Sequence, residues 1–153
     1  MPSRARAAAF SPGGEALAVV FEDGSVMLWD TNEGELLEWW RAHSRAAIFA
    51  GFLREARILV TAGEDAAVRF WDLSGEGLVG RLQRRCWQPS TGAITAVAMA
   101  PEERLLAIGN LDGDVRLWDV DRILAVGVPE GEASAIATPP ARPTAAPPGW
   151  DIR

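Results

Sequence analysis

The sequence predicts an all-β fold made of three repeated four-stranded antiparallel units, followed by a tail that takes no part in them. Three observations carry that prediction. A short apolar run ends in a Trp-Asp pair three times, at Val26-Met27-Leu28-Trp29-Asp30, Val68-Arg69-Phe70-Trp71-Asp72 and Val115-Arg116-Leu117-Trp118-Asp119. The three tryptophans stand 42 and 47 residues apart, close to the roughly 40–45 residues of a four-stranded propeller blade. Aligned on those tryptophans, the segments 7–30, 47–72 and 97–119 match without a gap through most of their length. The expected architecture is therefore three blades in an open partial propeller, at residues 1–44, 45–88 and 89–128, with residues 129–153 as a disordered Pro/Ala-rich tail.

Within each unit the elements follow in a fixed order. Phe10, Phe52 and Met99 come into register at the end of an opening segment, and a turn follows each, Ser11-Pro12-Gly13-Gly14 in the first unit. The runs 16–21, 58–62 and 105–109 are short, apolar and bounded by turn residues, as buried strands are. Asp23-Gly24 and Asp112-Gly113 then read as hairpin turns, because such turns need a positive φ that Gly adopts cheaply. The middle unit has Asp65-Ala66 in that place. Ala is less comfortable there, so the turn is expected to be of another type or slightly strained. The Trp-Asp strands come next, and after them the runs 35–41, 77–84 and 122–128 are expected as outer strands. Those runs carry Glu38, Arg41, Arg81 and Arg84, as exposed edges usually do. Trp39 and Trp40, adjacent on such a strand, must point to opposite faces, one of them between blades.

The pattern of strand, Ser-Pro-Asp-Gly-like turn, strand, Asp-Gly turn and a third strand closing in Trp-Asp resembles the WD40 repeat family. The resemblance covers residues 5–128 and rests on the repeat signature Trp29-Asp30, Trp71-Asp72 and Trp118-Asp119. It implies a hydrogen-bonded chain through each blade, from a His before the first strand to a Ser/Thr, the turn Asp and the Trp. Carried onto the middle repeat, these are His43, Thr61, Asp65 and Trp71. The other repeats depart from it: the first has Met1 and Val19 in the His and Ser/Thr places, the third Ser90 and Ile108. Blade two is accordingly expected to be the most rigid. A non-catalytic scaffold for protein–protein contacts is the function the resemblance implies.

Composition agrees with a water-exposed globular chain. Of 153 residues 48% are hydrophobic and 24% charged, and no run approaches the ~20 apolar residues of a membrane span, so no membrane partner is expected. The net charge is −6, and every basic residue is Arg. That balance argues against nucleic acid, whose binding needs clustered cations. Residues 7–10 are too short for the apolar core of a secretory signal. A single cysteine, Cys86, permits no internal disulfide, and a cytoplasmic location is expected. Six of the ten prolines fall within residues 129–148, a composition that cannot offset its ordering entropy. Trp150-Asp151 lacks a preceding β-run and is not counted as a fourth blade.

Propellers usually close with roughly 4–8 blades, so an arc of three leaves two faces open. On the first blade the open face is expected to draw on Ala8, Phe10, Ala18, Val20, Val26 and Leu28; on the third, on Val97, Ala107, Val115 and Leu117. A large apolar patch is seldom left bare. The cover would come from further blades of a longer chain, from a second copy closing a six-bladed ring, or from a different protein. Met1 falls at the place His43 takes in the next repeat, so the chain starts on a repeat boundary, as all three accounts allow.

No catalytic, cofactor-binding or metal-binding residue is assigned. His43 is the only histidine and is placed in the structural chain above. Gly75-Glu76-Gly77-Leu78-Val79-Gly80 matches a dinucleotide fingerprint, but it opens an expected outer strand rather than a helix. Cys86 lies beside Arg84 and Arg85 without a second histidine to form a nucleophilic pair. Partner recognition is expected on one rim, where links between blades meet hairpin turns, at Ser44, Arg45, Glu64, Trp87, Thr91 and Leu111. Trp87 is the first choice because exposed aromatics anchor interfaces, with a core filler under the long loop as its alternative role. A peptide- or nucleic-acid-recognition module using the rim is the second reading. A regulatory propeller segment of a multidomain enzyme is the third.

Overall fold

The computed structural model describes residues 3–53, 57–73, 83–87, 92–102, 104–125 and 135–137; for 83–87, 124–125 and 135–137 it describes the backbone. Twelve strands form three antiparallel sheets in chain order. The first holds β1 (Ala5–Phe10), β2 (Ala16–Phe21), β3 (Ser25–Asp30) and β4 (Glu35–Arg41). The second holds β5 (Ala47–Leu53), β6 (Ile58–Gly63), β7 (Val68–Asp72) and β8 (Gln83–Trp87). The third holds β9 (Ile94–Met99), β10 (Leu105–Asn110), β11 (Val115–Asp119) and β12 (Ala135–Ala137), with a short helix, α1 (Val120–Ala125), before its last strand. The sheets stand side by side and do not close a ring.

All three β2–β3-type hairpins use one turn. A backbone bond closes it from Gly24 N–H to the Phe21 carbonyl, from Ala66 N–H to Gly63 and from Gly113 N–H to Asn110. The residue after the turn Asp lies in the left-handed region: Gly24 at φ 85°, Ala66 at 64° and Gly113 at 90°. This is the type I turn with a left-handed third residue that three-residue hairpin loops favour. Of the two expectations for Asp65-Ala66, strain is the one observed. The turn type is the common one, and Ala66 bears the cost of a Cβ there.

Two apolar clusters fill the spaces between sheets. Ala18, Val20, Val26 and Leu28 of the first sheet meet Ala47, Ala50, Phe52, Leu59 and Trp71 of the second. On the second sheet's other side, Leu53, Ile58, Val60, Ala62, Val68 and Phe70 meet Ile94, Leu106, Ile108 and Trp118 of the third. Alternation along β6 explains the split: Leu59 and Thr61 face the first sheet, Ile58 and Val60 the third. The middle sheet is thus covered on both sides, and every residue of β6 is buried. Trp40 packs edge to face on Trp71, ring centroids 5.4 Å apart, while Trp39 points out on the opposite face.

Several expectations require correction. Ala18, Val20, Val26 and Leu28 do not belong to the open face of the first sheet, since they are buried against the second. Val97 likewise packs toward the second sheet; Ala107, Val115 and Leu117 do lie on the open side. The outer strand expected over 122–128 is replaced at 122–125 by helix α1, and 126–128 lie outside the described residues. Asp119 Oδ1 accepts the Arg122 N–H at 3.1 Å and so caps α1, whose Val120 and Ile123, three apart, enter the core. The fourth strand comes from Ala135–Ala137, pairing Ala137 with Leu117 and Ala135 with Trp118. Those three residues stand in the segment read as a disordered tail and place the third unit's last strand beyond residue 128; the remainder of 129–153 lies outside the described residues.

Relieving Ala66 supplies a direct check. A left-handed non-Gly residue costs about 1–2 kcal/mol, part of which glycine's greater freedom in the unfolded chain offsets. Ala66→Gly is expected to raise the urea unfolding free energy by about 0.5–1 kcal/mol. The same exchange at Ala67, which has an ordinary φ, is expected to lower it.

Candidate functional site

The link between β4 and β5 brings His43 over the middle sheet. β6 supplies Thr61, the β6–β7 turn supplies Asp65, and β7 supplies Arg69 and Trp71. His43 Nδ1 lies 2.9 Å from Asp65 Oδ1 and Nε2 lies 2.8 Å from Thr61 Oγ1. The Trp71 indole N–H donates to Thr61 Oγ1 at 3.0 Å. Arg69 Nη1 stands 2.8 Å from both His43 Nδ1 and Asp65 Oδ2. Partners assign the protons: an N–H at Nδ1 satisfies Asp65, so Arg69 donates to the carboxylate and not to the ring. In the neutral imidazole the Thr61 hydroxyl then donates to Nε2, and Trp71 to Thr61. The expected chain His43–Thr61–Asp65–Trp71 is present and joined.

Two features of this cluster were not read from sequence. Arg69 adds an ion pair to Asp65 and shields its outer side. Gly63 makes the room, since a Cβ there would stand 2.6 Å from His43 Nδ1 and 2.9 Å from Asp65 Oδ1. A charged residue in an otherwise apolar strand and a Gly just before the turn were the available signals. Burial works against ionisation of Asp65, but the hydrogen bond from His43, the Arg69 guanidinium and the Ser44 N–H outweigh it. They hold the carboxyl well below the usual carboxylate range. Both ring nitrogens of His43 are spent inside the cluster, on a side chain that is itself buried.

The outer sheets lack this arrangement. Asp23 binds the Ser25 hydroxyl at 2.6 Å and the Ser25 N–H at 2.9 Å, and these bonds lower its pKa despite the opposing effect of burial. Ile108 places an apolar side chain where Thr61 stands in the middle sheet, and it packs into the core.

Of the rim candidates, the structure describes Ser44, Arg45, Glu64 and Leu111. Ser44 and Arg45 are exposed in the β4–β5 link. Glu64 opens the β6–β7 turn, donating its backbone N–H to Ala46 O and pairing with Arg6 at 3.9 Å. Leu111, 74% exposed, opens the β10–β11 turn and bonds Ala93 O. Hairpin turns and inter-sheet links thus share one end of the array. Gly24 sits against this end, where a Cβ would fall 2.1 Å from the His43 carbonyl. The side chain of Trp87 and all of Thr91 lie outside the described residues, as do Gly75–Gly80 and the Cys86 side chain.

A second surface is the open face of the first sheet. Strand register lines up Phe10, Leu17, Trp29 and Leu36 in one row across β1–β4, and Ala8, Val19, Met27 and Trp39 in the next. Phe10, Leu36 and Trp39 are exposed. This face was expected, but with the wrong set of alternating residues on β2 and β3.

Two measurements test the cluster. Thr61→Val leaves the Trp71 N–H and a His43 nitrogen without a partner, and is expected to lower unfolding free energy by about 1–3 kcal/mol. Because the folded-state pKa of Asp65 lies below its unfolded value of roughly 3.9, its contribution is complete above about pH 4 and is lost as pH falls through the folded value. Asp65→Asn should therefore destabilise strongly at pH 7, and the difference from the parent in urea midpoint should narrow as the pH is taken below 4.

Comparison with known proteins agrees with this geometry. The family model "WD domain, G-beta repeat" matches residues 3–30 and 81–119. The chain is 32% identical over 120 residues to WD repeat-containing protein 3 of Mus musculus, covering 74% of this chain and 13% of that protein. It is 29% identical over 114 residues to the COMPASS component SWD3 of Saccharomyces cerevisiae, covering 72% of this chain and 36% of that protein. It therefore spans only a small part to about a third of these relatives' length. Among solved structures, the computationally designed Ika4 protein superimposes with a TM-score of 0.63 at 25% identity, over 80% of this chain and 68% of the other. With three Trp-Asp-closed sheets, one complete His–Thr–Asp–Trp chain and these matches, the chain belongs to the WD40 repeat family.

Proposed function

We propose that the chain is a non-catalytic scaffold that joins other proteins, as part of a larger propeller or assembly, and that it works in the cytoplasm. WD repeat proteins bind other proteins in general, and the yeast relative named above is a complex component. The observation that carries the reading is where the side chains go. The groups best able to move protons, His43 and Asp65, are locked inside the middle sheet. The large apolar side chains Phe10, Leu36, Trp39 and Leu111 are turned outward. Such groups are costly to leave bare and are what interfaces bury. The single cysteine and the acidic charge favour a reducing compartment and a protein partner over nucleic acid.

Rim contacts at Ser44, Arg45, Glu64 and Leu111 are assigned to partners that ride on the finished scaffold. Arg45→Glu combined with Leu111→Ser is expected to leave unfolding free energy within about 0.5 kcal/mol of the parent and to reduce several-fold the partners recovered with tagged protein from cells. Undiminished recovery would remove the rim from the proposal. A turnover abolished by His43→Ala in protein that still unfolds cooperatively would overturn the non-catalytic reading.

A further inference from the structure

Among the described residues, the contacts between sheets join the same two kinds of face. One carries the Trp of the Trp-Asp pair: Phe52, Leu59, Thr61 and Trp71 in the second sheet, and Met99, Leu106, Ile108 and Trp118 at the equivalent positions of the third. The other carries the alternate residues, Ala9, Ala18, Val20, Val26 and Leu28 in the first sheet, and Gly51, Val60, Ala62, Val68 and Phe70 in the second. Each Trp-bearing face of the second and third sheets is covered by the opposite face of the sheet before it. One of each kind is left over: the Trp29 face of the first sheet and the Ala98–Ala107–Leu117 face of the third.

Equivalent residues show what covering does. Phe10 is 65% exposed, whereas Phe52, its counterpart, is 4% exposed. Leu117 is 36% exposed, whereas its counterpart Leu28 is 2% exposed. Trp29 is half-buried where Trp71 and Trp118 are buried. Size matches as well as pattern. The covering face of the first sheet is rich in alanine, with Ala7, Ala9, Ala16 and Ala18 receiving Phe52 and Trp71 of the second. The open face of the third sheet is small in the same way, with Ala96 and Ala98 exposed and Ala107 and Gly109 beside them in register. The open face of the first sheet is large, with Phe10, Trp29, Met27 and Trp39.

We infer that a second copy of this chain seats the small face of its third sheet on the Trp29 face of the first, and that the reciprocal contact closes a two-fold ring of six sheets. The inference rests on the scaffold reading and names the occupant of one of its surfaces. Two leftover faces of opposite kind on one molecule are what a self-complementary pair requires. The internal contacts also set the register: Met99 approaches Gly51 so closely that a Cβ on Gly51 would meet Met99 Cε at 3.1 Å. By the same equivalence, Phe10 of one copy lies on Ala98 of the other.

Light scattering on the full chain tests this. The parent is expected at twice its 16.5 kDa mass at micromolar concentrations. Phe10→Glu alone and Ala98→Arg alone are each expected to return it to the monomer mass. Both positions are exposed in the single chain, so each variant should keep the parent's β-sheet circular dichroism. Mixed in equal amounts, the two variants should regain the double mass, because one contact is then unaltered and the other pairs opposite charges. A parent that stays monomeric overturns the inference, as do larger open polymers or a dimer indifferent to both substitutions. If the monomeric parent still recovers partners through Arg45 and Leu111, the pairing has failed and the scaffold reading stands.

Discussion

Sheets of this kind cannot stand alone, and that constraint organises the molecule. A four-stranded antiparallel sheet with apolar residues on both faces needs cover on both sides. Here the cover is another sheet of the same design. The middle sheet, enclosed by two neighbours, contributes to both apolar clusters and has a completely buried β6. The flanking sheets each keep one face toward water. Position in the array, rather than any difference in strand composition, decides whether a residue such as Phe10 or Phe52 is exposed.

The middle sheet also holds the polar chain, and the two facts belong together. A buried His, Thr and Asp are tolerated only when each group is partnered, and low surrounding dielectric makes both the bonds and their loss count for more. His43, Thr61, Asp65, Trp71 and Arg69 meet that requirement jointly. Gly63 provides the space and Ala66 accepts a left-handed backbone so that the Asp65 carboxylate can reach the ring. The first sheet, whose corresponding face is wet, manages with a local Asp23–Ser25 turn. The third places the apolar Ile108 in the core at the Thr61 position, so its Trp118 has no hydroxyl there to donate to.

For function, the consequence is a division of labour between surfaces. The inward groups hold the blade in shape, the sheet faces govern what stands beside it, and the rim is the surface proposed above for contacts with other molecules.

Much of this was legible in the chain itself. Period-two alternation, the Asp-Gly turns and the recurring Trp-Asp pair determine the number of sheets and the strand order within each, because these depend on local spacing, while the resemblance to WD40 repeats implied the polar chain His43–Thr61–Asp65–Trp71. Sequence also marked Ala66 as the uncomfortable residue of its turn. What it left open is which face of a strand looks at which neighbour. Alternation sorts residues into two sets, yet only the handedness and packing of the array assign a set to the inside, so Ala18, Val20, Val26 and Leu28 proved covered while Leu17, Val19, Met27 and Trp29 stand on the open side. The short α1 and the late strand Ala135–Ala137 were hidden for a similar reason. An Asp119 cap with Val120 and Ile123 three apart is a weak local signal, and it becomes a helix because those two side chains find a place in the core between the second and third sheets.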